Sequence, residues 1–223
     1  MTNRTRTRPA AARPAGRSSV PRWVYPALAV AVAVGALLGA VTADPRTEAQ
    51  KRIDAMQAAE VQRDADQVVA LTDQARRVRE LLGSALDGLY TALPPGATPG
   101  PPASAAQVDG WKAATRQAAK DFENPPSAGT AVNVARSGLA AGARQLDLAV
   151  DTYAAALKAG DDQRPALQAL ASRQRDNAIA SWSIGATQLD QLNIDTGHGH
   201  QHVFLPSAPG QGAMTADGAR EGD

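Results

Sequence analysis

The sequence predicts an all-α protein: a single N-terminal transmembrane helix, a long amphipathic helix, and an extracytoplasmic bundle of three to four helices between disordered termini. Three observations carry that expectation. Residues 23–43, WVYPALAVAVAVGALLGAVTA, hold no charge and are long enough to span a bilayer as one helix. Four later segments repeat apolar residues at helical spacing, with proline and glycine at their boundaries. No stretch of useful length alternates apolar and polar residues as a half-buried strand would.

Residues 1–22 are mostly Arg, Thr, Pro, Ala and Ser with little to bury, so they are expected to be a disordered cytoplasmic tail. The tail's arginines, at positions 4, 6, 8, 13, 17 and 22, precede the first acidic residue, Asp44. Such a bias holds its own side in the cytoplasm and places the rest outside. The same arginines favour contact with anionic lipid. A signal peptide cut after Ala43 is the alternative, leaving a secreted chain. The uncharged core from Val24 to Val41 exceeds the roughly 7–15 residues of a signal h-region, which favours a retained anchor.

With the tail set aside, 17 basic residues face 22 acidic ones, so the exported part is net −5. A nucleic-acid-binding face is not expected from that balance. Cysteine is absent, which removes disulfides and thiol nucleophiles and leaves the apolar core to hold the domain.

Asp44-Pro45 suits a helix start, and 44–93 reads as a long helix or stalk. As one helix, the 49 residues from Pro45 to Leu93 reach about 73 Å. A break near Arg63 is the other reading. Val61, Val68, Ala75, Leu82 and Leu89 recur every seventh residue, a coiled-coil-like seam. Val68, Leu71, Val78, Leu82 and Leu89 are therefore expected to form an interaction seam with a protein partner or a second copy. Residues 94–103, PPGATPGPPA, read as a semi-rigid linker.

The bundle is expected over 104–197. Ser104 and Gln107 match a capping box, ahead of an inner face of Val108, Trp111, Thr115, Ala118 and Phe122. Pro125-Pro126 ends that helix. The next spans about Thr130–Ala159, with Val132, Ala135, Leu139, Leu146, Val150, Tyr153 and Leu157 on one stripe. Gly138 and Gly142 within it are expected to let a neighbouring helix approach closely. A last helix, with Pro165 in its first turn and Gly197 at its end, has the stripe Leu167, Leu170, Ala178, Trp182, Gly185, Leu189, Leu192. Gln174, Asn177 and Ser181 interrupt it and line a pocket, set register, or face water if the helix is slightly rotated.

Residues 198–223 hold all three histidines, then Val203-Phe204-Leu205, which is expected to dock on the bundle, and a disordered end. His198, His200 and His202, with Asp195, are the candidate metal ligands, for zinc or copper. Alternate residues of an extended strand share a side, so two of the histidines can hold one ion. The outer pair, roughly 13 Å apart in a straight strand, cannot. No G-x-S-x-G elbow or phosphate-binding glycine loop accompanies them, and no catalytic set is expected. The carboxylates Asp161-Asp162, Asp64 with Asp66 and Asp121 with Glu123 read as solvated. The sequence-based reading of function is a membrane-anchored protein-interaction or scaffolding module at the bacterial envelope, the alternative a metal or small-ligand domain.

Overall fold

A computed structural model describes residues 47–207 and, upstream of them, Pro26. The expected membrane span, Pro26 apart, the expected tail before it and the C-terminal end beyond Ser207 lie outside the described residues. The chain divides into two compact units, Met1–Arg52 and Ile53–Asp223. Of the first, Pro26, Thr47 and the opening of one helix are described.

Four helices make up the described fold: α1 Glu48–Ala92, α2 Ala105–Asp121, α3 Thr130–Lys158 and α4 Arg164–Asp195. None of them is long and apolar enough to cross a membrane. Among the described residues there is no strand. α1 runs without a break at Arg63. Its start is fastened by a reciprocal pair: Gln50 N donates to Thr47 Oγ1 at 3.2 Å and Thr47 N donates to Gln50 Oε1 at 2.8 Å.

Cross-chain contacts set the topology. Asp64 and Gln67 of α1 meet Gly129 and Arg136 of α3 in ascending order, so those helices are parallel. Thr72 meets Asn193 while Leu93 meets Arg175, so α1 and α4 are antiparallel. Gly142 packs on Trp182 and Gly138 on Gly185, an antiparallel α3–α4 hairpin. Trp111 stacks near Tyr153, with ring centroids 6.0 Å apart, while Thr115 bonds Asp147, which sets α2 against α3. The result is an up-down-up-down four-helix bundle.

Several of the helix ends use the local signals expected from the sequence, while the expected start at Asp44-Pro45 lies outside the described residues. Ser104 and Gln107 form the capping box, a device that contributes about 1 kcal/mol. All five inner-face residues of α2 are buried. Trp111 lies flat against Gly88 of α1, where even a methyl group would collide with its ring. Asp64, read as a solvated carboxylate, instead accepts the Gly129 N–H at 3.0 Å, at the start of α3, where Gly129 itself offers no side chain. Gly197, at φ +82°, ends α4 and lets His198 N reach Asn193 O at 2.7 Å.

α3 and α4 touch backbone to backbone. A Cβ on Gly138 would lie 2.6 Å from Gly185 N, and one on Gly142 would lie 2.7 Å from Trp182 Cβ. The expected close approach at these glycines is what the fold contains. The segment 94–103 is less free than a linker: Gly100 N donates to Ala92 O at 2.9 Å and Ala103 N to Tyr153 Oη at 3.0 Å.

The start of the α4 stripe requires correction. Leu170 is exposed, and the buried line runs Ala171, Arg175, Ala178, Trp182, Gly185, Ala186, Leu189, Asp190, Asn193. The helix is rotated from the Leu167–Leu170 face because Arg175 enters the core. Its guanidinium donates to Leu93 O at 2.6 Å and to Ser172 Oγ at 3.1 Å, and lies 4.2 Å from the Tyr90 ring centroid. Of the three interrupting polar residues, Asn177 is exposed and Ser181 accepts from Gln145 at 3.0 Å across the α3–α4 contact. The Gln174 carbonyl oxygen is buried without a partner.

Burial raises the Tyr90 hydroxyl from 10.0 to about 12, Arg175 opposing this and Asp176 adding to it. The folded state therefore holds the proton that the unfolded chain releases near pH 10. This stabilisation is complete below pH 10 and is lost as pH rises through about 12. The unfolding midpoint is expected to fall more steeply over that window in the native protein than in Tyr90→Phe, as thermal melts at stepped pH would read. Equal slopes would contradict the assignment.

Candidate functional site

The chemistry-bearing residues gather where the chain doubles back after α4. Residues 198–205 have no regular secondary structure, Gly199 taking a φ of +69°, and return along α4 as a strap. Val203, Phe204 and Leu205 are buried in the core, the docking expected of that apolar triplet. Polar contacts fasten the strap at each step. Trp182 Nε1 donates to Val203 O at 2.7 Å, Arg79 Nη1 to His202 O at 3.2 Å, and Tyr90 Oη to Pro206 O at 3.3 Å. Arg76 also bonds the Gln201 side chain.

The first fastening point is Asp190, a buried carboxylate on α4. Its Oδ1 accepts the Gln201 N–H at 2.6 Å, and its Oδ2 lies 3.0 Å from His200 Nδ1. Since a carboxylate only accepts, His200 Nδ1 carries the hydrogen. The His200 and His202 rings stand 6.0 Å apart at 74°, on the same side of the strap as their spacing of two requires. One ligating atom from each of Asp190, His200 and His202 lies within 4.8 Å of the others.

The residues proposed from sequence thus separate. His200 and His202 come together, but His198 turns away and its Nδ1 pairs with Thr196 Oγ1 at 2.9 Å. Asp195, the expected oxygen ligand, instead accepts from Gln191 at 2.8 Å. Asp190 takes its place, one and a half turns earlier on the helix. The signal was the distance of return: an extended segment leaving a helix after a tight turn passes the residues one to two turns back, not the last one.

The expected interaction seam is closed within the chain. Val68, Leu71, Val78, Leu82 and Leu89 are all buried, at 2% exposure or less, by the chain's own helices and strap. Val61, the seam's first position, is outside that cover. Every residue from Ile53 to Arg63 is exposed, including Ile53 at 53%, Met56 at 67% and Val61 at 71%. Arg136 is buried among neutral acceptors: Gln67 Oε1 at 2.7 Å, Asn133 Oδ1 at 2.8 Å and Pro126 O at 3.3 Å. Burial lowers its proton affinity.

No family model, curated protein or solved structure matches the chain.

Proposed function

We propose that the protein is a single-pass, membrane-anchored helical module that engages another protein at the bacterial cell envelope and has no catalysis of its own. Its N-terminus is cytoplasmic in this reading and the bundle extracytoplasmic, with Trp23–Ala43 as anchor. The observation that carries the proposal is the contrast along α1. Residues 68–89 turn their apolar face into the chain's own core, whereas Ile53, Met56 and Val61 present large apolar side chains on turns that no other described part of the fold covers. Exposed apolar groups on one stretch of helix support a contact made after folding. The bundle behind them supplies a rigid mount, so the contact does not have to order it.

A photo-crosslinking amino acid at Met56, in cells of the native host, is expected to give a discrete protein adduct. The same probe at Leu148, an exposed leucine on α3, is expected to give none. Met56→Glu with Val61→Glu should remove complex formation, assayed by affinity recovery, and leave the bundle's melting unchanged. An identical adduct pattern from both positions, or none from Met56, would overturn this reading.

A further inference from the structure

We propose that Asp190, His200 and His202 form a binding site for a divalent transition metal of the zinc and copper class, and that the ion clasps the C-terminal strap to α4. Two imidazoles and one carboxylate are a donor set suited to these ions. The geometry is close to what such an ion needs. Donors about 2.0–2.2 Å from a tetrahedral ion lie about 3.3–3.6 Å from one another. Asp190 Oδ2 and His200 Nδ1 already stand 3.0 Å apart, and one donor atom from each of Asp190, His200 and His202 lies within 4.8 Å of the other two. The ion replaces the hydrogen between Asp190 and His200, the imidazole hydrogen moving to Nε2, while rotation of the His202 ring closes the third bond. A water completes the fourth position.

Neighbouring charge permits this. Gln201, between the two histidines, directs its side chain to Arg76 and Asp73 holds the same guanidinium at 3.1 Å, so that cation is engaged on the other side of the strap. Arg79 is turned to the His202 carbonyl. Asp190 is fixed from behind by the Gln201 N–H, an outer contact of the kind that orients a ligating carboxylate.

The ligands come from two elements. Asp190 belongs to α4 and both histidines to the strap, so the complete donor set exists only while the strap is docked. By linkage, the ion must then favour the docked strap. Since the strap's Val203, Phe204 and Leu205 fill the core, metal loading stabilises the bundle itself.

The test is Zn²⁺ titration of the full-length, untagged chain in detergent, by calorimetry, with thermal melts at each loading. The proposal expects one ion per chain and a rise in melting midpoint on loading. Both are expected to vanish in His200→Ala, His202→Ala and Asp190→Asn, and to persist in His198→Ala and Asp195→Asn. His200 is exposed, so its variant retains the apo fold, which circular dichroism verifies. No stoichiometric binding by the native chain, binding that survives loss of His200 and His202, or binding lost with His198 would each overturn the proposal. Binding without any rise in midpoint would overturn the clasp.

Discussion

Gly185→Val is expected to destabilise the bundle severely. A Cβ on residue 185 would lie 2.5 Å from Leu139 N, 2.6 Å from Ala135 O and 3.0 Å from Gly138 C. All three are backbone atoms of α3, so no side-chain rotation relieves the contact and the helices must separate. Overpacking ordinarily costs about 1–3 kcal/mol, and a backbone collision belongs at or beyond the upper end. Separation of α3 from α4 also loosens Trp182, which sits beside Gly142 and holds the strap through Val203. A total loss of about 4 kcal/mol or more follows, a large share of the roughly 5–15 kcal/mol that holds a domain of this kind together. Gly110→Ala is the control. Gly110 lies inside α2 with open space where its Cβ would go, so that substitution should stabilise by about 1 kcal/mol. Chemical denaturation of both variants checks the pair of predictions. A folded Gly185→Val protein of native stability would refute the close helix pair.

Arg175→Ala is the second large effect, expected at about 3–5 kcal/mol from the cavity it opens and the carbonyl it leaves without this donor. α1 has no basic residue in its last turn, and its terminal carbonyls need donors. Arg175 supplies them from α4, reaching Leu93 O at 2.6 Å, and brings a positive charge to the negative end of the helix. The side chain is wholly buried, with its charge partly balanced by Asp176, whose Oδ1 is 2.8 Å from Nη2. Truncation takes the Arg175 donor from the Leu93 carbonyl and opens a cavity against Tyr90. Arg175→Lys keeps the charge but not the planar fork, so an intermediate loss is expected. Urea midpoints and slopes of the three proteins give the comparison. A loss under 1 kcal/mol for alanine would contradict the role assigned to Arg175.

The sequence made the helices legible because their punctuation is local. Ser104 with Gln107, Pro165 and Gly197 act within a few residues of themselves, and the structure uses each as expected. The docking of Val203-Phe204-Leu205 was legible for the same reason that any apolar triplet is: it has to be buried somewhere. The buried polar residues were not legible. Arg175 and Asp190 carry charges that usually belong in water, and the groups that compensate them come from other parts of the chain: Leu93 for Arg175, and Gln201 for Asp190. Burial at Asn193 likewise depends on Thr72, which its side-chain amide meets at 2.8 Å. The seam of α1 was read correctly as apolar, but periodicity does not say whether the covering helix belongs to the same chain. Here α4 and the strap supply it, and the apolar side chains of α1 that stay exposed are Ile53, Met56 and Val61. For the site, spacing brought His200 and His202 to one side, while choosing Asp190 over Asp195 required the path of the return.

Amide hydrogen exchange on the full-length protein, followed at two concentrations a hundredfold apart, tests the central claim most directly. The account predicts that amides from Val68 to Tyr90 exchange only through global unfolding and at the same rate at both concentrations, while those from Ile53 to Val61 exchange faster. Protection of Val68 to Tyr90 that falls on dilution would show the seam to be closed by another molecule, and would contradict the self-contained bundle.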